Sequence, residues 1–407
     1  MSERVETVII GGGQAGLSMS YHLGQLGREH IVLERGRIAE RWRSERWDSL
    51  TFQFPNWMMR LPGYACEGNE PDAFMPRDGV VRFIEEYARR ISPPIRCGIR
   101  VTGLHSSASG SLLVETDHFT LEAVNVVVAT GPYQVPLVPA FSIALPFTIC
   151  QVTANCYTNP DQLPPGNVLV VGSGGSGCQI AEDLLQRGRR VYLSVGRHRR
   201  VPRRYRGKDF GWWQEKTGAS DRAVDSLSPD ARAPLLTGVN GGHDADLRGL
   251  ARQGVTLVGS LGDISGGRLR CAPDLDENLA RGDETFDQFT RSVDEYILKH
   301  ELAAPAEPQR NQRDRVRSPT ASMIRDLDIR SAGITSVIWA MGYRYDFGWI
   351  KCAVLEASGR PVHRRGVTAV PGVYFLGLPR LHKIKSAFLW GVGEDAAYLA
   401  EHIVNRK

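Results

Sequence analysis

The feature that most constrains this 407-residue chain is a pattern it makes twice. "VIIGGGQAG" at 8–16 and "VLVVGSGGSG" at 168–177 each run an apolar stretch straight into a glycine-rich turn. Each turn is followed by a helical pattern and then a second apolar stretch, "HIVLER" at 30–35 and "RVYLSV" at 190–195. Strand, Gly-x-Gly-x-x-Gly, helix and strand open a parallel βαβ unit. Two copies predict an α/β fold with two Rossmann-like dinucleotide-binding domains.

In the first copy, Gly11 allows the tight turn, Gly13 lets a pyrophosphate reach the backbone, and Gly16 lets helix pack on strand. Gln14 and Ala15 complete the turn, and Glu34 closes the following strand, where a carboxylate accepts from both hydroxyls of a ribose. In the second copy, Gly172, Ser173, Gly174, Ser176 and Gly177 form the turn, and the strand ends in Arg197-His198 with no acid. A cation there pairs with a 2′-phosphate. The expected cofactors are therefore FAD on the Glu34 copy and NADPH on the Arg197 copy, with hydride passing between them. The arginines beyond, Arg199, Arg200, Arg203 and Arg204, read as a solvated basic turn.

Between the copies lie an irregular aromatic stretch at 41–63, a helix at 78–91 and an antiparallel region at 99–128. After the second copy come strands at 254–259, 334–343 and 372–378 and helices at 284–302 and 394–404. The expected domains are 1–150 with 331–407 for FAD, and 151–330 for NADPH with an insertion on the substrate side. Trp212, Trp213 and the 284–302 helix are candidates for the pocket wall.

A net charge of +5, spread along the chain apart from the arginine knot at 197–208, does not indicate a dedicated nucleic-acid role, and no nucleic-acid partner is expected. The N-terminus has no signal-peptide pattern and no stretch has spanning length, so a cytoplasmic protein without membrane association is expected. Seven scattered cysteines, without a CxxC pair, argue against disulfides and against electron transfer to a dithiol. No Cys/His spacing suits a metal.

The chain resembles the flavin-containing monooxygenases, particularly the short bacterial members and the related plant auxin-synthesis enzymes. The likeness rests on both glycine turns, on "RWRSERWDSLTFQFP" at 41–55, on "VVVATGPYQVP" at 126–136, on "VIWAMGYRYDFGWI" at 337–350 and on the closing segment at 372–403. It implies cofactor contacts at Arg35, Trp42, Val101, Ala129, Thr130, Gly131, His198 and Leu389 as well. It also places Ser49, Gln53 and Asn56 in the loop under the flavin, as polar candidates for catalysis. The C-terminal helix would aim its N-terminus at the flavin, with Arg380, Lys383 and Lys385 read as solvated surface and His382 as structural. The implied cycle reduces FAD with NADPH, forms a C4a-hydroperoxyflavin with molecular oxygen, and oxygenates nitrogen or sulfur of a small soluble substrate. Pairing into a homodimer is left open.

The family signature between the turns, F-x-G-x-x-x-H-x-x-x-(F/Y), appears here as "FTICQVTANCY". Phe147 and Tyr157 match, while Ile149 and Thr153 replace the glycine and histidine. Met341 likewise stands where threonine is usual. The loss of the histidine keeps alive a flavin oxidase or reductase without oxygen transfer. Baeyer–Villiger oxygenation of a ketone is a further alternative, although Tyr157 holds the aromatic slot. A flavin-bound sensor would not need the second turn.

Overall fold

The computed structural model describes residues 3–107, 110–224, 232–307 and 324–406. The chain begins with β1 (Glu3–Ile10), α1 (Gln14–Gln25) and β2 (His30–Glu34), then the short α2 (Glu40–Ser44) and α3 (Arg77–Ile91). β3 (Ile95–Cys97) is followed by an antiparallel meander of β4 (Val101–Ser106), β5 (Leu112–Thr116) and β6 (Thr120–Val128). The second body opens with β7 (Cys150–Thr153), β8 (Asn167–Val171), α4 (Gly175–Gln186) and β9 (Val191–Ser194). It continues through α5 (Phe210–Lys216), α6 (Leu247–Arg252), β10 (Thr256–Val258), α7 (Leu275–Lys299) and β11 (Ile334–Trp339). The chain then returns for β12 (Val373–Phe375) and α8 (Val392–Asn405).

Two sheets result. The first runs β3-β2-β1-β6-β5-β4, with β12 also on β6; the second runs β7-β11-β8-β9-β10. β1, β2, β3 and β12 are parallel to their neighbours, and every pair in the second sheet is parallel. Their central strands are continuous apolar runs because both faces are covered, as at Val168–Val171, where every residue is buried. α1 packs against α8 over the first sheet.

The expected boundary at 331 is corrected by pairing. β11 aligns with β8 from Asn167↔Ile334 to Val171↔Trp339, so it belongs to the second body. The chain crosses between bodies at a two-residue antiparallel ladder, Val135–Pro136 against Tyr343–Arg344. α7 also starts earlier than the expected residue 284. Gly282 lies inside this helix, where a Cβ would strike the His198 ring.

Candidate functional site

The two glycine turns are built alike, atom for atom. Gly11 has φ +115° and Gly172 φ +106°. A Cβ on either would lie 2.6 Å from a carbonyl oxygen, that of Ala129 for Gly11 and that of Ala340 for Gly172. Those carbonyls belong to equivalent neighbours, since Ala129 N donates to Ile10 O at 2.9 Å and Ala340 N to Val171 O at 2.8 Å. Cβ atoms on Gly16 and Gly177 would overlap the Gly11 and Gly172 carbonyls. The N-caps Gly13 and Gly174 have no capping side chain, and the first turns of α1 and α4 carry no acid. A Cβ on either N-cap would meet nothing within 4 Å. Each helix therefore offers unsatisfied N–H groups and a positive dipole end to an open space that fits a pyrophosphate.

The strand ends differ. Glu34 accepts from Gly12 N at 2.6 Å and from Gly36 N at 2.8 Å. At the matching place in the second body a hydroxyl does this work, with Ser173 Oγ accepting from Gly196 N at 3.1 Å. The second site thus lacks the carboxylate that would repel a 2′-phosphate, and Arg197 lies exposed in the turn just beyond. Arg35 is exposed and pairs with Glu45 at 3.7 Å. Trp42 packs edge-on to Phe52 with centroids 6.3 Å apart. Val101 opens β4 two residues after Ile99, whose N–H donates to Glu34 O at 3.0 Å. Thr130 and Gly131 both accept from Gln134 Nε2, at 3.0 and 2.8 Å.

The C-terminal segment reaches the first glycine turn, and the loop at 49–57 reaches the second. Gln14 Nε2 donates to Ala387 O at 2.6 Å, drawing that segment across the first turn. Phe388 and Trp390 stack at 4.6 Å, and Phe54 meets Trp390 edge-on at 4.5 Å. Leu389, between them, is buried. Trp390 Nε1 is buried beside the start of α8 and has no protein partner, and neither has Asn56 Oδ1. Buried polar atoms of this kind ask for a partner, which a flavin ring edge would supply. An open cavity of about 530 Å³ lies close by, lined by Trp57, Asp72, Trp212, Glu215 and Lys216. Trp212 lines it as expected, but Trp213 is buried and donates to Tyr205 O at 2.8 Å.

Ser49, Gln53 and Asn56 are tied to different parts of the structure. Ser49 Oγ donates to Asp183 Oδ1 at 2.6 Å, and Tyr157 OH donates to Oδ2 of the same carboxylate at 2.6 Å, so Ser49 is a domain contact. Asn56 Nδ2 donates to Glu70 O at 3.1 Å. His198 turns inward onto Gly282, its Nδ1 3.1 Å from Gly196 O, and burial lowers its pKa. Phe147 is fully exposed, whereas Tyr157 is buried.

The arginine knot is only partly solvated, with Arg197 and Arg204 exposed but Arg203 and Arg200 committed to carboxylates. Arg203 is 1% exposed and forks onto Asp209 at 2.8 and 2.6 Å, while Arg200 pairs with Asp283 at 2.8 Å. Lys383 and Lys385 are not solvated surface either. Both pair with Asp221 and Glu394, and Lys385 is 6% exposed. The backbone N–H of His382 donates to Ser386 Oγ at 3.1 Å. Among the described residues no His, Cys, Asp and Glu group suits a metal. No helix there is long and apolar enough to cross a membrane.

Comparison with known proteins follows the same lines. The pyridine nucleotide-disulphide oxidoreductase family matches residues 8–208. A CzcO-like oxidoreductase of Geobacillus kaustophilus, itself uncharacterised, is 34% identical over the full length of both chains. The rice indole-3-pyruvate monooxygenase YUCCA1 is 32% identical over 47% of this chain and 49% of its own. A flavin-containing monooxygenase from Stenotrophomonas maltophilia superposes with a TM-score of 0.67 at 19% identity, covering 99% of this chain and 98% of that one.

Proposed function

Because the chain belongs to the CzcO-like oxidoreductases and has the fold of the flavin-containing monooxygenases, we propose that it is an NADPH-dependent, FAD-binding monooxygenase of small molecules. One atom of O2 goes to a nitrogen or sulfur of the substrate. The observation that carries this reading is the pair of matched glycine turns with unmatched strand ends. Such a pair suits two dinucleotides that differ at the ribose.

When bound, FAD reduced by NADPH would supply the oxygen chemistry. This chain's residues do the rest. Gly11 to Gly16 with the α1 N-terminus would hold the FAD pyrophosphate, and Glu34 the ribose. Gly172 to Gly177 with α4 would hold that of NADPH, and Arg197 its 2′-phosphate. Asn56 Oδ1 and Trp390 Nε1 would meet the ring edge, and the N-terminus of α8 favours negative charge there. Phe52, Phe54, Phe388 and Trp390 keep water away from that face.

The test is aerobic turnover under isotopically heavy oxygen, with NADPH, NADH and a panel of amines and sulfides. Bleaching of the flavin band by NADPH and one heavy oxygen atom in the product are expected. Stoichiometric hydrogen peroxide with unlabelled substrate would replace this reading by the oxidase one. Arg197→Glu should lower kcat/KM for NADPH by on the order of tenfold or more, and that for NADH far less.

A further inference from the structure

We infer that Gln53 binds the pyridine nucleotide rather than the flavin, and that Arg203 is the positioning residue that holds it there. The inference rests on the two-nucleotide reading above.

By sequence, the loop at 49–57 belongs to the first body, but it is pinned to the second. Ser49 is bonded to Asp183 of α4. Gly238 has no room for a Cβ, which would strike Phe52 O and lie 2.9 Å from Thr51 Oγ1. Gln53 O accepts from an Arg203 terminal nitrogen at 2.7 Å.

Arg203 is immobilised on every side. Its Nε and other terminal nitrogen fork onto Asp209, its backbone N–H donates to Asp244 at 2.7 Å, and its Cζ lies 4.9 Å from the Phe74 ring centroid. A planar guanidinium with all three nitrogens engaged fixes the place of the carbonyl it holds. Asp209 is fixed in turn by capping α5, accepting from Gly211 N at 2.7 Å.

With that carbonyl held, the Gln53 side chain goes to the second glycine turn. Its Nε2 lies 3.2 Å from where a Cβ on Gly175, the first residue of α4, would sit. Phe52 and Phe54, on either side, pack in the aromatic cluster instead. Gln53 therefore brings two N–H donors to the uncapped end of α4 from across the domain boundary. Those donors suit a pyrophosphate oxygen or ribose hydroxyl of the dinucleotide held on Gly174.

The test is calorimetric titration of the FAD-loaded protein with NADP+, with FAD content and melting temperature measured in parallel. Gln53→Leu should weaken NADP+ by on the order of tenfold. Gln53→Glu should weaken it further, because a carboxylate would then face the phosphates. Both should keep FAD content and melting temperature. Arg203→Lys cannot span Asp209 and Gln53 O together and should also weaken NADP+. The double variant Arg203→Lys/Gln53→Leu should then bind no worse than Gln53→Leu alone, because Arg203 acts through Gln53.

Wild-type NADP+ affinity in both Gln53 variants overturns the inference, and additive losses in the double variant overturn the role of Arg203. Should the Arg203 variants fail to fold, the two Gln53 variants still decide the nucleotide contact. If the unmodified protein loads FAD but takes no NADP+, the functional reading fails, and this inference with it.

Discussion

At the scale of single residues, the glycines separate into those the fold needs and those a ligand needs. Gly11 has positive φ and a carbonyl in the way of any Cβ, so Gly11→Ala should cost about 1–3 kcal/mol and strip FAD from the protein. Gly174 has φ −72° and open space around it. Gly174→Ala should keep its melting temperature while NADP+ binding falls on the order of tenfold, an uncoupling that titration and a thermal melt read separately. The turns were legible in the sequence because residue type alone encodes the backbone they need. Arg203 was not. Its burial depends on Asp209, Asp244 and the Gln53 carbonyl arriving from other segments, and nothing local in an arginine-rich run distinguishes a buried arginine from a solvated one.

At the scale of elements, α4 is held to its surroundings by two carboxylates. Asp183 accepts from Tyr157 and Ser49 together. Tyr157→Phe and Ser49→Ala should each cost about 1 kcal/mol in denaturant unfolding. Their combination should fall short of the sum, since one acceptor serves both. The other carboxylate, Glu182, lies 2.9 Å from His243 and raises the histidine pKa from 6.5, hydrogen bonding being the main cause. A raised folded pKa means stability present in full below pH 6.5 and lost as pH climbs through the folded value. Unfolding measured across that range should show this slope, and His243→Gln should flatten it. β11 shows why boundaries were harder to read than elements. An apolar strand with small residues at its end fits either sheet, and only pairing decides.

At the scale of the whole molecule, the segment leading out of α5 is tied to the C-terminal segment. Asp221 and Glu394 each meet both Lys383 and Lys385, and Val224 N donates to His382 O at 3.0 Å. Asp221→Asn should destabilise by about 1 kcal/mol, moderated because Asp221 is half exposed. Hydrogen exchange at 219–224 should rise more than the global value, which distinguishes a local tie from general weakening. The nesting of one body within the other was legible through the resemblance of the closing segment at 372–403, whose strand returns to the first sheet. The ties between the bodies were not, because Ser49, Gln53 and Asp221 are common polar residues whose partners lie far away in sequence.

The two-residue ladder at 135–136 and 343–344 has an evolutionary consequence. Both ends of the second body meet there, so a single recombination module with two adjacent junctions could exchange it between lineages. The inherited unit would have to be larger than the module, however. Residues 49–57 of the host are fitted to Asp183, Gly175 and Arg203 of the insert. Chimeras that leave that loop behind should load FAD and lose hydride transfer, and co-transplanting it should restore their coupling.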